Sequence, residues 1–258
     1  GPPGDPNGGR ARRNCAGPMS SASSHAVHGL MLSQIPYGDK GHILKIWTRP
    51  FGVQSYMVHS VRSGKSGMRP ALLLPMTALD AMVTHRDKGQ LEKVSEVRAL
   101  TVWKRLATDP MCQALCLFAA EVLAKTLKAG DSSEAFFDDV MDVLHRWDEP
   151  GTSLAMAAVE LCALMAHHLG FALEPEDYKN GWEFDLQEGQ FCPAGNAQGE
   201  FVDAEATAAL VEWLQHHERI PPKAVRHRLL DRLMLGLRWH HPGMGEVHSV
   251  DILRALQA

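Results

Sequence analysis

Residues 29–80 read GLMLSQIPYGDKGHILKIWTRPFGVQSYMVHSVRSGKSGMRPALLLPMTALD, and this stretch decides the fold class. Three short apolar runs, Leu30–Ile35, Ile43–Thr48 and Val53–Val61, are rich in β-branched and aromatic residues. They are separated by Tyr-Gly-Asp-Lys and Arg-Pro-Phe-Gly, clusters that suit turns and not helices. Strand, turn, strand, turn, strand is the natural parse. Working outward, Ala78–His85 and Leu91–Leu100 read as two more strands joined by Arg86-Asp-Lys-Gly89, whose glycine suits a hairpin. Five strands in one short segment predict a small barrel of the OB type, which removes exposed edges and leaves loops for an oligonucleotide; an SH3-like barrel competes with it.

From Thr101 the apolar period becomes helical. Asp109-Pro110 supplies a cap and a first-turn proline, with Leu115, Phe118, Val122 and Leu123 on one stripe and Gly130 as the stop. Asp131-Ser-Ser-Glu134 reads as a capping box for a second helix that turns Phe137, Val140, Met141 and Leu144 inward. A third is expected from Thr152 to Gly170, and others over 203–217, 221–239 and 249–256. Residues 171–202, where acids alternate with Tyr178, Trp182, Phe184 and Phe191, lack a helical period and read as one long ordered connection. The expected organisation is a disordered extension over 1–24, an OB-like nucleic-acid-binding domain over 25–100 and a helical domain over 101–258. The fold class is α+β: a five-stranded barrel followed by a helical bundle.

Charge divides along the same line. Residues 20–100 hold ten Lys and Arg against five Asp and Glu, a net of +5, whereas residues 101–258 hold thirteen against twenty-four, a net of −11. A polyanion is therefore expected on the barrel. Its candidate phosphate contacts are Lys40, Lys45, Arg49, Arg62, Lys65 and Arg69; the last three lie among small residues that let a loop follow a phosphate chain. Tyr37, Trp47, Phe51 and Tyr56 are available for base stacking, although strand alternation must turn some of them into the core. A second basic concentration contains Arg226, Arg228 and Arg232, which flank an apolar stripe with Leu229 and Leu233.

No nucleophile elbow, P-loop, dinucleotide fingerprint or HExxH occurs, so no catalytic residue is assigned and an enzyme is not expected. No apolar run reaches membrane length. The five cysteines lack framework spacing; Cys112 and Cys116 sit in an apolar helical context and read as buried thiols. The adjacent histidines at 167–168, 216–217 and 240–241 diverge around a helix and do not chelate as an i, i+4 pair would. No metal or cofactor is expected.

The run Leu32-Ser-Gln-Ile-Pro-Tyr-Gly-Asp-Lys40, then Ile43-Leu-Lys-Ile-Trp-Thr48, Gly52, the small-basic segment and Pro75-Met-Thr-Ala-Leu79 resembles the N-terminal domain of RecO, a bacterial recombination mediator. The resemblance extends more loosely to Ser249-Val-Asp-Ile-Leu253. It implies a cytoplasmic, nucleoid-associated DNA repair protein that binds single- and double-stranded DNA, anneals complementary strands and helps load recombinase. It also implies RecR as a partner and, around Arg226, Arg228, Arg232, Leu229 and Leu233, a site for the C-terminal tail of single-stranded DNA-binding protein. Many relatives carry two CxxC zinc pairs in the region of 171–202; here Cys192 alone is present. A generic OB-fold RNA or oligonucleotide module, or a helical protein-interaction scaffold, are the other readings of these residues.

Overall fold

The computed structural model describes residues 23–38, 41–58, 69–85, 91–130 and 132–257. Five strands, β1 (Ser23–Tyr37), β2 (Gly41–Thr48), β3 (Gly52–Val58), β4 (Ala78–His85) and β5 (Glu92–Ala99), close into a barrel in the order β1-β2-β3-β5-β4. Every neighbouring pair is antiparallel except β3 with β5. Closure with one parallel pair is the OB arrangement, as expected. β1 is long enough to serve both sides because it bends at an irregularity between Met31 and Ser33: its first half pairs with β4 and its second with β2.

Strand alternation divides the barrel's side chains between two cores. Met31, Leu44, Ile46, Tyr56, Leu79 and Val83 fill its interior. Their neighbours Leu30, Leu32, Trp47 and Val53 point outward and are just as buried, because the helices cover that side. Trp47 lies with its ring centroid 5.2 Å from Phe136 and 5.0 Å from Phe137. The barrel and the helices thus share one apolar core across their boundary.

The helices are α1 (Pro110–Thr126), α2 (Glu134–Asp148), α3 (Ala157–Leu169), α4 (Ala204–Gln215), α5 (Lys223–His240) and α6 (Ser249–Gln257). Asp109 caps α1 by accepting from the backbone N–H groups of Met111 and Cys112, and Asp203 caps α4 through Ala206. Gly170 closes α3 in the left-handed conformation, where a side chain would be strained. Three expected boundaries are corrected. α1 ends at Thr126 and not at Gly130, because Leu127 turns extended while its N–H still reaches Leu123. α2 is capped by Ser133, which accepts from Phe136; Asp131 lies outside the described residues. α3 begins at Ala157, five residues after Thr152, its first turn preceded by an irregular segment.

The 171–202 connection is also more regular than its sequence suggested. It contains β6 (Trp182–Asp185), β7 (Gln190–Pro193) and β8 (Phe201–Val202), ordered β7-β6-β8. Of the four aromatics expected to hold it, Phe184 is fully buried, while Tyr178, Trp182 and Phe191 remain half-buried. The side chain that organises this sheet is Asp185, buried at 3% exposure. Its Oδ1 accepts from the N–H groups of Gln187 and Glu188 and its Oδ2 from that of Gln198, at 2.9–3.0 Å. Burial pushes its carboxyl pKa up, but the N–H groups of Glu188, Gln198 and Gln187 outweigh that and hold it below the usual carboxylate range.

Candidate nucleic-acid interface

An interface for a polyanion needs cations that are not already neutralised. Of the six expected phosphate contacts, Lys40, Arg62 and Lys65 lie outside the described residues. Arg69 is exposed at the start of a short 3-10 turn, Pro70–Leu73. Lys45 and Arg49 are both engaged within the fold.

Lys45 points outward from β2 into the helical side, where its Nζ donates to the Ala124 carbonyl at 2.7 Å. Partial burial there lowers its pKa from the ordinary lysine value. Arg49, in the turn between β2 and β3, reaches the first turns of α2. Its Nε and Nη2 donate to the two Asp138 carboxylate oxygens, both at 2.8 Å, and its Nη1 donates to Glu134 at 2.5 Å. The Asp138 hydrogen bonds raise its pKa further, and Asp138 is lowered in return. These two cations join barrel to helices, Arg49 through carboxylates and Lys45 through a backbone carbonyl.

The aromatics separate in the same way. Trp47 and Tyr56 are buried, and burial pushes the Tyr56 hydroxyl up to about 12. Phe51 is half-buried, stacked on His85 at 4.0 Å and edge-on to His25 at 5.2 Å. Tyr37 alone among the four is open, at 54% exposure, with Ile35 beside it on the same strand at 62%. Beyond the irregularity in β1 every residue from Ser33 to Gly38 is exposed, so the β1–β2 hairpin projects past the filled barrel.

Register places the end of β3 beside the start of β2. Tyr37 pairs with Gly41 and His42 with Val58, so the ends of β1 and β3 flank the start of β2. Exposed Lys93 and Arg98 lie on β5; Arg98 is paired with Asp80 at 2.8 Å.

The second basic concentration is also engaged. Arg228 pairs with Asp203 at 2.9 Å and with Glu205, and Arg232 pairs with Glu200 at 2.6 Å. Arg226 donates to the Pro221 carbonyl at 2.7 Å. Leu229 and Leu233 are completely buried in the helical core and form no open stripe. Arg228 and Arg232 thus tie α5 to the start of α4 and to the β7–β8 connection, beside leucines that are turned into the core.

Among the described residues no three His, Cys, Asp or Glu side chains cluster as metal ligands. Burial, the leading cause for both, pushes the Cys112 thiol up to about 11 and Cys116 to about 12, so both stay protonated at neutral pH. No helix among the described residues is long and apolar enough to cross a membrane.

Comparison with known proteins meets this geometry. Residues 19–103, which span the barrel and its exit, match the family described as Recombination protein O N terminal. The DNA repair protein RecO of Phocaeicola vulgatus is 24% identical over 233 residues, covering 88% of this chain and 97% of that protein. Its counterpart in Porphyromonas gingivalis is 27% identical over 246 residues, with 88% and 96% covered. RecO of Flavobacterium psychrophilum is 28% identical over 165 residues, with 64% and 68% covered. Behind a barrel matched by the RecO N-terminal model, the chain is thus similar to RecO proteins over most of its length, and unlike many of them it carries a single cysteine, Cys192, in residues 171–202.

Proposed function

We propose that this protein is a DNA repair factor that binds single- and double-stranded DNA at the hairpin rim of its barrel, anneals complementary strands and helps load recombinase onto DNA coated by single-stranded DNA-binding protein. The observation that carries the reading is the rim itself: open Tyr37 near the end of β1, on a barrel segment whose sequence is net basic, with the end of β3 paired beside the start of β2. A base stacks on an aromatic face, and nearby cations release counterions from the phosphates. Annealing requires only that the repulsion between two strands be offset; base pairing then supplies the free energy. No bond-making step is part of this reading.

RecR and single-stranded DNA-binding protein are the proposed partners, and the bacterial cytoplasm the proposed location. The division at 25–100 and 101–258 belongs to the same proposal, with the basic unit contacting DNA and the acidic unit contacting proteins. The test is a fluorescence-transfer annealing assay on complementary oligonucleotides, bare and coated with single-stranded DNA-binding protein, with RecR added or omitted. Accelerated annealing that weakens with salt is expected; no acceleration on either substrate would reject it.

A further inference from the structure

We propose that the groove between α2, α3 and the chain after α3 is a docking site for a basic protein segment carrying one large apolar side chain. The groove has a volume of about 560 Å³ and continues past Trp213 and His217 into a smaller depression of about 190 Å³ that ends at Ile220. Its floor is apolar: Val143, Leu173 and Trp213 are buried there, with Leu164 and Leu214 partly open. Acids stand on opposite walls, Asp139 and Asp142 on α2 against Glu174 and Glu176 after α3. Glu160, deeper in, is fixed by the Trp147 indole at 3.0 Å and by Arg146.

Charge complementarity selects the occupant. Five carboxylates face one arginine in this groove, and that arginine is paired with Glu160. Among the described residues Asp139, Asp142 and Glu176 have no ion-pair partner, and Asp139 and Asp142 are exposed. A polyanion is repelled here, so the groove lies off any DNA path. A lysine- or arginine-bearing segment would place its charges between the two walls while an aliphatic or aromatic side chain entered the floor, the anchor-and-rim pattern of groove recognition. This inference is independent of the barrel's DNA site, and its test uses no nucleic acid.

The probe is a short fluorescein-labelled peptide with arginines on both sides of a central Leu-Trp pair, followed by anisotropy on the full chain; its control replaces the arginines by glutamates. Saturable binding of the basic peptide that weakens with salt is expected, with no binding of the acidic one. Asp139→Lys with Asp142→Lys should weaken it about tenfold, since two attractions become two repulsions of exposed-pair size. Ala163→Trp, which fills the groove from α3, should weaken it independently, with thermal melting as the folding control for both. Failure of the unaltered protein to bind the basic peptide, equal binding of the acidic control, or affinity unchanged in both variants would overturn the proposal. So would concentration-dependent dimerisation abolished by the same variants, which would make the occupant a second copy of the chain.

Discussion

Arg49 and Asp138 are joined by two parallel hydrogen bonds of 2.8 Å across the boundary between barrel and helices. A planar guanidinium on a carboxylate in this fork fixes orientation as well as distance, which a lysine cannot do. Arg49→Lys should therefore leave the net charge unchanged yet lower the melting temperature and increase hydrogen exchange at the start of α2. Affinity for DNA should stay the same. A selective loss of DNA affinity with unchanged melting would return Arg49 to the phosphate contacts.

Trp47 and Tyr37 make a second contrast. Trp47 is buried against Phe136 and Phe137, and Trp47→Ala should cost about 3–5 kcal/mol of unfolding free energy, the range for large aromatics lost from a core. Tyr37 is exposed, and Tyr37→Ala should leave denaturant unfolding unchanged while weakening single-stranded DNA binding by about 1–3 kcal/mol, the range for one stacked base. Urea titration and anisotropy separate the two effects. Equal DNA affinity for Tyr37→Ala and the unaltered protein would remove the stacking role.

Glu121 supplies the anchor for the last helix. Its carboxylate accepts from the N–H groups of His248 and Ser249 and from the Ser249 hydroxyl, at 2.6–3.1 Å, and pairs with Lys125 at 3.0 Å. Burial pushes its pKa up, but the Ser249, Lys125 and His248 donors together hold it down at about 2. A folded-state value below the unfolded one gives stability that is fully present above the ordinary value of 4.5 and lost as pH falls towards 2. The size is on the order of 3 kcal/mol. Glu121→Gln should thus be less stable at neutral pH, and its deficit should close as pH falls from 4.5 towards 2. A deficit independent of pH over that window would contradict this clamp.

Asp185 holds the small sheet by three backbone N–H groups, and Asp185→Ala leaves those donors without their acceptor. The expected cost is about 2–4 kcal/mol, with hydrogen-exchange protection lost first across residues 182–202. Elemental analysis should find no stoichiometric zinc, and a chelator should leave melting unchanged. Chelator-sensitive melting would mean that a metal, and not this carboxylate, organises the segment.

Much of the fold was legible because its signals are local. Short β-branched runs between turn residues predicted all five barrel strands, and Asp109 and Asp203 announced their helices as caps. The tiny sheet was missed because strands of four, four and two residues are too short to show a period. Asp185 likewise resembles any acid in an acidic loop until its three donors are brought around it. The candidate site was less legible for a related reason. Lys45 and Arg49 find partners 79 and 89 positions away, and alternation says that Trp47 points outward without saying that helices wait there. Composition counted Lys45, Arg49, Arg228 and Arg232 as charge without partners; long-range contacts hold each of them within the fold.

The most direct measurement is the slope of log affinity against log salt for single-stranded DNA, compared between the unaltered protein and an Arg62→Ala, Lys65→Ala, Arg69→Ala triple variant. Each neutralised phosphate contributes about 0.7 to that slope on single strands, so the triple variant should flatten it by up to about two units with little change in melting. Identical slopes for two equally folded proteins would contradict a DNA site that uses Arg62, Lys65 and Arg69.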